Sequence, residues 1–385
     1  MSDTVVLGLD VGGTSTRATA LSLDGTRLGA GRAGGGNPTS HGAERAAAEL
    51  LAALRAALAD IDPHRVRAGV IGLAGAGRLL ADPRGRDAFD HAWAEAGLRC
   101  PYAVHGDALV AYASGTAAPD GTVLVAGTGA IAAQVRDLRL DRTADGHGWL
   151  LGDAGSGFWL GREAVRRLLT DLDRAETPGE LGRRVLAELT GTTAVDAQPR
   201  ATAGAVVQAV TRRPPVELAR LAPLVVSSAR DGEPAAAALI AEAAALLAES
   251  VSRIRPPGAT EPVVLGGGLL TGDTPLAGAV RAELAERWPG APLHGAGDGA
   301  AAAAWLAARD LPEVTDPAAL HTRLVPPPPD LPCWPPRRAG PAALAAALRR
   351  PLLSGAPWVS KRRFDTHDVP LAASGSSRRE PGRSG

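Results

Sequence analysis

The stretch LGLDVGGTSTRATALSLDG, residues 7 to 25, decides how the fold of this chain is interpreted. A strand-like run leads into Asp10, the chain breaks at Gly12 and Gly13, and a second strand-like run begins near Thr16. A hairpin needs only one or two residues that can adopt a positive φ, so a tight turn would explain the glycines. A phosphate site would also explain them, because glycines let backbone N–H groups approach an anion without a Cβ in the way. The stretch alone leaves both alternatives open.

Chain length and cysteine content limit the class of protein. A chain of 385 residues suggests two domains, and a hydrophobic content of 45% is enough to form their cores. We expect neither an apolar run long enough to span a membrane nor a signal peptide. Cys100 and Cys333 lie far apart without CxxC spacing, which argues against a disulfide framework and a cysteine-based metal site. We therefore expect a cytoplasmic protein with no membrane partner.

The net charge is zero, but it is unevenly distributed. Residues 326–385 hold ten Lys or Arg against four Asp or Glu, which leaves the preceding part of the chain acidic. An acidic body argues against a nucleic-acid partner. The same segment is rich in proline, which disfavours sheet and long helix. We predict that residues 312–385 form a mostly disordered tail, with room for one helix in PAALAAALRRPLL.

A partial internal repeat predicts two related domains. TVVLGLDVGGTSTRATALSLDG, from Thr4, parallels TVLVAGTGAIAAQVRDLRLD, from Thr122: a strand, a Gly/Thr turn and a second strand. Between the copies, helical patterns alternate with buried strands, which indicates parallel strands with crossover helices joined to an antiparallel hairpin. The sequence therefore predicts an α/β fold with domains over residues 1–118 and 119–311.

Three strand-then-glycine elements are candidates for nucleotide binding. None matches the Walker sequence, and none gives a GxGxxG that opens a helix after a first strand, so the P-loop and Rossmann interpretations lose support. Two hairpin turns from related domains could instead hold a polyphosphate from both sides, with the third element at the nucleoside end. The elements are Gly12-Gly13-Thr14, Gly127-Thr128-Gly129 and Gly266-Gly267-Gly268.

Eight motifs in a fixed order give the chain a family resemblance over about residues 5 to 310. They are DVGGTSTRA, GGGNPTS, GLAGAG, VHGDALVA, VAGTGA, GHGWLLGDAGSGFWLGREA, VVLGGGLL and GAGDGAAAAAW. In this order they resemble the N-acetylglucosamine kinase and BadF/BadG ATPase family, within the superfamily of sugar kinases, heat-shock chaperones and actin. The resemblance implies duplicated ribonuclease-H-like (actin-like ATPase) domains, with ATP and a sugar in the cleft between them.

The resemblance also implies roles for the glycine elements and for Asp10. Asp10 would orient Mg²⁺, through water, and the cofactors would be ATP and Mg²⁺. Phosphoryl transfer needs positioning and charge neutralisation more than covalent chemistry. The residues expected to bind ATP are Gly12, Gly13, Thr14, Gly127, Thr128, Gly129, Gly266, Gly267 and Gly268.

Asp107 would be the general base that accepts the proton of the sugar's primary hydroxyl. Its alternative role is helix N-cap, the commonest one for an aspartate between a strand and a helix. Asn37 and Asp153 would bind sugar hydroxyls, with a turn-forming Asn-Pro and a surface loop acid as their alternatives. Gly75 and Gly148 would line the sugar pocket.

The resemblance implies an ATP-dependent amino-sugar kinase that forms the 6-phosphate. The family usually has GGWG before LLGDEGSG, whereas this chain has His147 and Ala154 at the corresponding positions, so N-acetylglucosamine, glucosamine and N-acetylmuramate all stay open as acceptors. A homodimer is open as well. The alternative function is a nucleotide-gated sensor or interaction protein. The cysteines do not supply the iron–sulfur ligands of dehydratase activators with this fold, or the zinc motif of the related repressors and kinases.

Overall fold

Two five-stranded sheets of the same topology form the centre of the protein. The computed structural model describes residues 4–327. The first sheet contains β1 (Val5–Val11), β2 (Thr16–Ser22), β3 (Arg27–Ala33), β4 (Val66–Leu73) and β5 (Tyr102–Gly106), in the order β3-β2-β1-β4-β5. The second contains β6 (Gly121–Ala126), β7 (Ala130–Arg136), β8 (Arg139–Asp145), β9 (Val263–Gly266) and β10 (Leu293–Gly295), in the order β10-β9-β6-β7-β8.

The strand pairing confirms the duplication predicted from the sequence. In the first sheet β1 pairs antiparallel with β2 and parallel with β4. In the second sheet β6 pairs antiparallel with β7 and parallel with β9. The opening stretch is therefore the β1–β2 hairpin, and its echo is the β6–β7 hairpin. The fold class is α/β with two mixed sheets, as predicted.

Helices connect the strands and cover the sheets. The first half contains α1 (Pro38–His41), α2 (Ala43–Ala57), α3 (Ala76–Ala81), α4 (Pro83–Glu95), α5 (Asp107–Gly115) and a 3₁₀ helix at Pro63–Arg65. The second half contains α6 (Gly157–Asp173), α7 (Glu180–Thr190), α8 (Pro199–Thr211), α9 (Ala222–Arg230), α10 (Pro234–Ser252), α11 (Gly268–Thr271), α12 (Pro275–Arg287), α13 (Gly299–Ala308), α14 (Pro317–Leu324) and a 3₁₀ helix at Pro215–Leu221.

Helix α10 corrects the expectation that no apolar run is long enough to span a membrane. Within the described residues it alone has the length and hydropathy of a span. Its buried side chains, which include Leu239, Ile240 and Leu247, belong to the hydrophobic core of the second half. Packing against the core therefore accounts for its apolar character.

Helices α5 and α13 connect the two sheets by packing across the boundary between them. Helix α13 follows β10 in the chain but lies against the first sheet, where a Cβ on Gly8 of β1 would be 1.9 Å from the carbonyl oxygen of Ala300. Helix α5 follows β5 but also contacts the second sheet, and a Cβ on Gly115 would be 2.7 Å from Val264. Helix α13, the last helix of the predicted range 119–311, thus packs with the first sheet.

Part of the predicted tail is folded. Residues 312–327 contain α14, in which Leu320 and Leu324 are buried. The indole nitrogen of Trp305 donates to the carbonyl oxygen of Pro317 at 2.8 Å, and His321 lies 2.7 Å from the carbonyl oxygen of Ala113. The prediction of disorder is therefore wrong for this segment, because its apolar side chains cover α13. The rest of the predicted tail, with its helix, lies outside the described residues.

Candidate active site

The first glycine turn joins β1 to β2 and presses against a second glycine run. The Gly12 N–H donates to the carbonyl oxygen of Ser15 at 2.9 Å, which closes the hairpin. The Gly36 N–H donates to the carbonyl oxygen of Gly12 at 3.0 Å, and a Cβ on Gly35 would lie 2.2 Å from the Gly13 oxygen. The other side of the turn is open, with Gly13 and Thr14 exposed. One side of the turn is therefore held by Gly35 and Gly36, and the other side is accessible to a ligand.

The second glycine turn joins β6 to β7 and is held by the N-terminus of α6. The Gly127 N–H donates to the carbonyl oxygen of Gly129 at 2.9 Å. The N–H groups of Gly157 and Phe158 donate to the carbonyl oxygens of Gly127 and Thr128, at 2.8 and 3.1 Å. Thr128 is exposed. The first N–H groups of α6 therefore hold the turn in place and are not available to a ligand.

The third glycine element lies directly beside the second. Gly267 follows β9, has a φ of +84°, and its Cβ would fall 2.2 Å from the carbonyl oxygen of Ala126. Both the positive φ and the close approach exclude a side chain there. Since β6 and β9 are parallel neighbours, their carboxyl ends bring Gly127 and Gly266–Gly268 to one edge of the second sheet.

Asp10 and Asp107 lie at the carboxyl edge of the first sheet. In register, Val11 pairs with Leu73, and Leu73 pairs with Gly106, so Asp10 near the end of β1 and Asp107 directly after β5 lie at the same edge, on the two strands that flank β4. Asp10 forms an ion pair with Arg17 of β2 at 2.5 Å. A Cβ on Gly299 would lie 2.8 Å from Oδ2 of Asp10, so the start of α13 approaches the same carboxylate.

The helix N-cap alternative for Asp107 is wrong. The cap position of α5 is Gly106, whose backbone is extended and which makes no side-chain cap bond. Asp107 is the first helical residue, and its Oδ1 accepts from the N–H of Ala108, at 2.9 Å. Burial raises the pKa of Asp107; the Ala108 hydrogen bond opposes this, and the charge of Asp10 adds to it. A Cβ on Gly106 would lie 3.1 Å from Leu140 of the second sheet, which places Asp107 between the sheets.

Asn37 and Gly75 are brought together. Asn37 caps α1, with its Oδ1 accepting the N–H of Thr39 at 2.8 Å, so the turn-forming alternative describes part of its role. A Cβ on Gly75, which has a φ of +82°, would lie 3.1 Å from the same Oδ1. Among the described residues no hydrogen bond uses the Nδ2 group of Asn37, so that group is free to donate to a ligand.

Asp153 is buried against the second glycine turn, which excludes the surface-acid alternative. It is 9% exposed, its φ is +58°, and its Oδ1 accepts the N–H of Ala130 at 3.1 Å. A Cβ on Gly129 would lie 2.8 Å from that oxygen. Burial raises the pKa of Asp153, and the charge of Asp145 raises it further, against the Ala130 hydrogen bond and the nearby His147.

Asp145 is a site residue that the sequence interpretation missed. It ends β8, is buried and has a φ of +63°. Its two carboxylate oxygens accept the N–H groups of Asp153 at 2.6 Å and Ala154 at 2.8 Å. The carboxylate therefore closes the loop of residues 146–152. The Asp-Gly pair that ends an alternating strand was the signal for it in the sequence.

The loop closed by Asp145 presents apolar side chains to solvent. Leu150 and Leu151 are 72% and 81% exposed, and the Trp149 ring lies 5.7 Å from the Phe158 ring. Gly148 has a φ of +82° with open space where a Cβ would be, so its backbone can be approached. The loop is fixed at its base and open at its tip.

The carboxylates suit a magnesium ion that is bound chiefly through water and substrate. Within residues 4–327, no group of three or more His, Cys, Asp or Glu side chains could hold a metal ion by itself. Mg²⁺ keeps several waters and takes one or two carboxylates together with substrate phosphates. Asp10, beside the first glycine turn, fits that pattern.

A family model matches this arrangement across most of the chain. The model of the BadF/BadG/BcrA/BcrD ATPase family matches residues 7–307, a range that includes all three glycine elements and the aspartates described above. The chain belongs to this ATPase family. The match confirms the resemblance stated from the motifs, and it identifies the two sheets as an actin-like ATPase fold.

Individual relatives of this ATPase-family chain carry sugar-kinase names. An N-acetyl-D-glucosamine kinase of Dictyostelium discoideum is 29% identical over 199 residues, which make up 49% of this chain and 61% of that protein. A structure from Chromobacterium violaceum, provisionally assigned as an N-acetylglucosamine kinase, is 26% identical with a TM-score of 0.62, covering 79% of this chain and 98% of its own. A structure from Porphyromonas gingivalis with the same provisional assignment is 21% identical, covers 76% and 93%, and has a TM-score of 0.57, which shows a shared fold.

Proposed function

We propose that the protein is an ATP-dependent amino-sugar kinase that transfers the γ-phosphate of ATP to the 6-hydroxyl of N-acetylglucosamine or glucosamine. The observation that carries the proposal is the position of Asp107. It lies at the carboxyl edge of the first sheet, beside Asp10 and between the sheets, without a capping role. A half-buried carboxylate with a raised pKa, within reach of a cleft, is the kind of group that accepts a proton from a hydroxyl.

The glycine turns would hold the nucleotide. The exposed faces of Gly13, Thr14 and Thr128 offer backbone N–H and hydroxyl donors for phosphate oxygens. The third element, Gly266–Gly268, would lie at the nucleoside end, because it borders the second turn. Mg²⁺, held through Asp10, would neutralise charge on the phosphates.

The sugar would be bound from both halves of the molecule. Asn37 offers its Nδ2 group beside Gly75, and Asp107 would accept the proton of the primary hydroxyl. Asp153 is bonded to Ala130, so at most its second oxygen would face a sugar hydroxyl. The loop that contains His147 and Gly148 would cover the 2-substituent. His147 is exposed on this loop, close to Asp153.

A substrate panel tests the proposal. The purified chain, with Mg·ATP, is incubated with N-acetylglucosamine, glucosamine, N-acetylmuramate and glucose, and the release of ADP is measured. We expect turnover with at least one amino sugar and a product phosphorylated at the 6-hydroxyl. Absence of sugar-dependent ADP release across the panel, with ATP still bound, would instead support the nucleotide-gated sensor.

Asp107→Asn separates the base from nucleotide binding. The amide keeps the shape but cannot accept the proton, and removing a general base costs about 10²–10⁴-fold in rate. We expect kcat to fall by about that factor, with ATP affinity near that of the wild type. Asp60→Asn, an exposed aspartate, is the matched control and should leave both quantities unchanged. Wild-type kcat in Asp107→Asn would contradict the assignment of the base.

A further inference from the structure

A basic groove lies on the second half of the protein, away from the glycine turns. It is a cavity of about 240 Å³ whose lining includes Arg136, Arg142, Arg253 and Arg255. None of the described residues that line this cavity is an Asp or a Glu. Gln134, also in the lining, lies five residues after Gly129 of the second glycine turn, which is about 17 Å at the rise of a strand. The groove is therefore separate from the candidate active site.

Arg255 lines this groove from a buried position, and one of its N–H groups has no acceptor among the described residues. It is 3% exposed. Its Nη1 donates to Oγ1 of Thr122 at 2.9 Å, and its Nη2 donates to the carbonyl oxygens of Ala259 at 3.1 Å and Glu261 at 2.6 Å. Its Nε is buried and has no hydrogen-bond partner among the described residues. Its Nη2 also lies 3.9 Å from the carboxylate of Glu261. Because buried donors are nearly always paired, the Nε–H is a donor for which the described residues supply no acceptor.

The side chains of the other three arginines are exposed and make only weak interactions with the described residues. Arg142 donates to the carbonyl oxygen of Arg253 at 3.3 Å and forms no ion pair within the described residues. Arg136 pairs with Asp141 at 3.2 Å, and Arg253 pairs with Glu249 at 3.9 Å. Exposed pairs of this kind contribute little to stability, so these side chains can turn toward an incoming anion.

We propose that the basic groove binds the phosphate group of a small molecule, either inorganic phosphate or a phosphate monoester such as a sugar phosphate. Guanidinium groups match phosphate oxygens through paired N–H donors. A phosphate carries enough acceptors to meet several arginines at once, and the cavity has room for a substituent besides the phosphate. Four arginines that line one cavity in an otherwise acidic body favour an anionic ligand over a neutral one.

Titration calorimetry on the full chain tests the groove. Inorganic phosphate and glycerol 3-phosphate, an ester that is not a product of the proposed reaction, are titrated separately, in the presence of excess Mg·ADP to occupy the glycine turns. The test variant is Arg142→Glu/Arg253→Glu, which reverses two exposed charges of the groove. The matched control is Arg45→Glu/Arg99→Glu, which reverses two exposed charges elsewhere. Thermal unfolding of each variant checks that the fold is retained.

We expect the wild type to bind at least one of the two probes and the groove variant to bind it about tenfold more weakly or worse, since it loses charge-assisted hydrogen bonds. The control variant should bind as the wild type does. Tighter binding of the ester would identify an ester ligand, and equal binding would identify the phosphate alone; both support the proposal. Absence of binding in the wild type, or equal binding in the groove variant, would overturn it.

Discussion

A single carboxylate, Asp107, should make the stability of the protein depend on pH in an unusual direction. Burial, with the charge of Asp10, raises its pKa in the folded state. The folded protein then keeps the proton to a higher pH than the unfolded chain does. The contribution of Asp107 to stability is therefore greatest at low pH and declines as the pH rises from the unfolded pKa to the folded pKa.

Asp107→Asn should thus stabilise the protein at neutral pH, because the amide never has to ionise in this half-buried position. Urea unfolding at a series of pH values measures this. We expect a higher free energy of unfolding for the variant at pH 7 and no difference from the wild type at acidic pH, where both side chains are neutral. A stability gain that is the same at every pH would show that ionisation is not its cause.

Asp145 is the second residue whose replacement should be informative. Its carboxylate accepts two backbone N–H groups at 2.6 and 2.8 Å, and an amide would turn one acceptor into a donor. We expect Asp145→Asn to lower the free energy of unfolding by about 1–3 kcal/mol, the cost of an unsatisfied buried group. Asp141→Asn, on the same strand, breaks only an exposed ion pair and should cost less than about 1 kcal/mol. Urea titration compares the two variants.

Whether a site residue could be predicted from the sequence depended on how close its partners lie along the chain. Asp107 and Asn37 stand beside strand and helix ends that the chain itself marks, so their positions could be predicted. Asp145 escaped notice because its partners, Asp153 and Ala154, lie beyond a loop. The Asp-Gly pair marks the end of the strand, but it does not indicate hydrogen bonds to residues eight and nine positions later.

At the scale of elements, the contact between α13 and β1 depends on one glycine. A Cβ on Gly8 would lie 1.9 Å from the carbonyl oxygen of Ala300 and 2.2 Å from the nitrogen of Ala304, both backbone atoms that cannot move alone. Gly8→Ala should therefore push α13 off the sheet and lower the free energy of unfolding by about 3 kcal/mol or more.

Gly204→Ala is the matched control for that substitution. Gly204 lies inside α8, is exposed and has open space around its Cβ position. Alanine in an exposed helix interior stabilises by about 0.5–1 kcal/mol relative to glycine. Denaturant unfolding measures both variants, and we expect the free energy of unfolding to fall for Gly8→Ala and to rise for Gly204→Ala. A Gly8→Ala protein as stable as the wild type would show that α13 does not approach β1 as closely as described.

The two hairpins could be predicted because their signals are short-range. Alternating strands around a glycine turn appear directly in the sequence, at residues 7–25 and again from Thr122. The packing of α13 could not be predicted in this way. Its ten residues are all buried, so its sequence has no polar face to show which sheet it covers. The chain order then suggested the second domain, whereas the packing joins α13 to the first.

At the scale of the whole molecule, α5 and α13 contribute to a cluster of buried side chains that the two sheets share. A single buried cluster contains Val6 and Val70 of the first sheet together with Val123 and Val264 of the second. Both helices begin at the edge where the aspartates lie, α5 with Asp107 and α13 beside Asp10. A movement between the sheets would therefore act directly on the proposed base and on the carboxylate proposed for Mg²⁺.

The extent of this shared core sets where the chain can be shortened. Leu320, Leu324 and Val325 are buried in the same cluster as α13, and Trp305 bonds to Pro317. A chain that ends at residue 327 keeps these contacts, so we expect its melting temperature and sugar-dependent ADP release to equal those of the full chain. A chain that ends at residue 311 loses three buried apolar side chains, each worth about 1.5–3 kcal/mol, and should be strongly destabilised. Equal stability of the two truncations would show that α14 adds nothing to the core, whereas unfolding of the longer one would place essential contacts beyond residue 327.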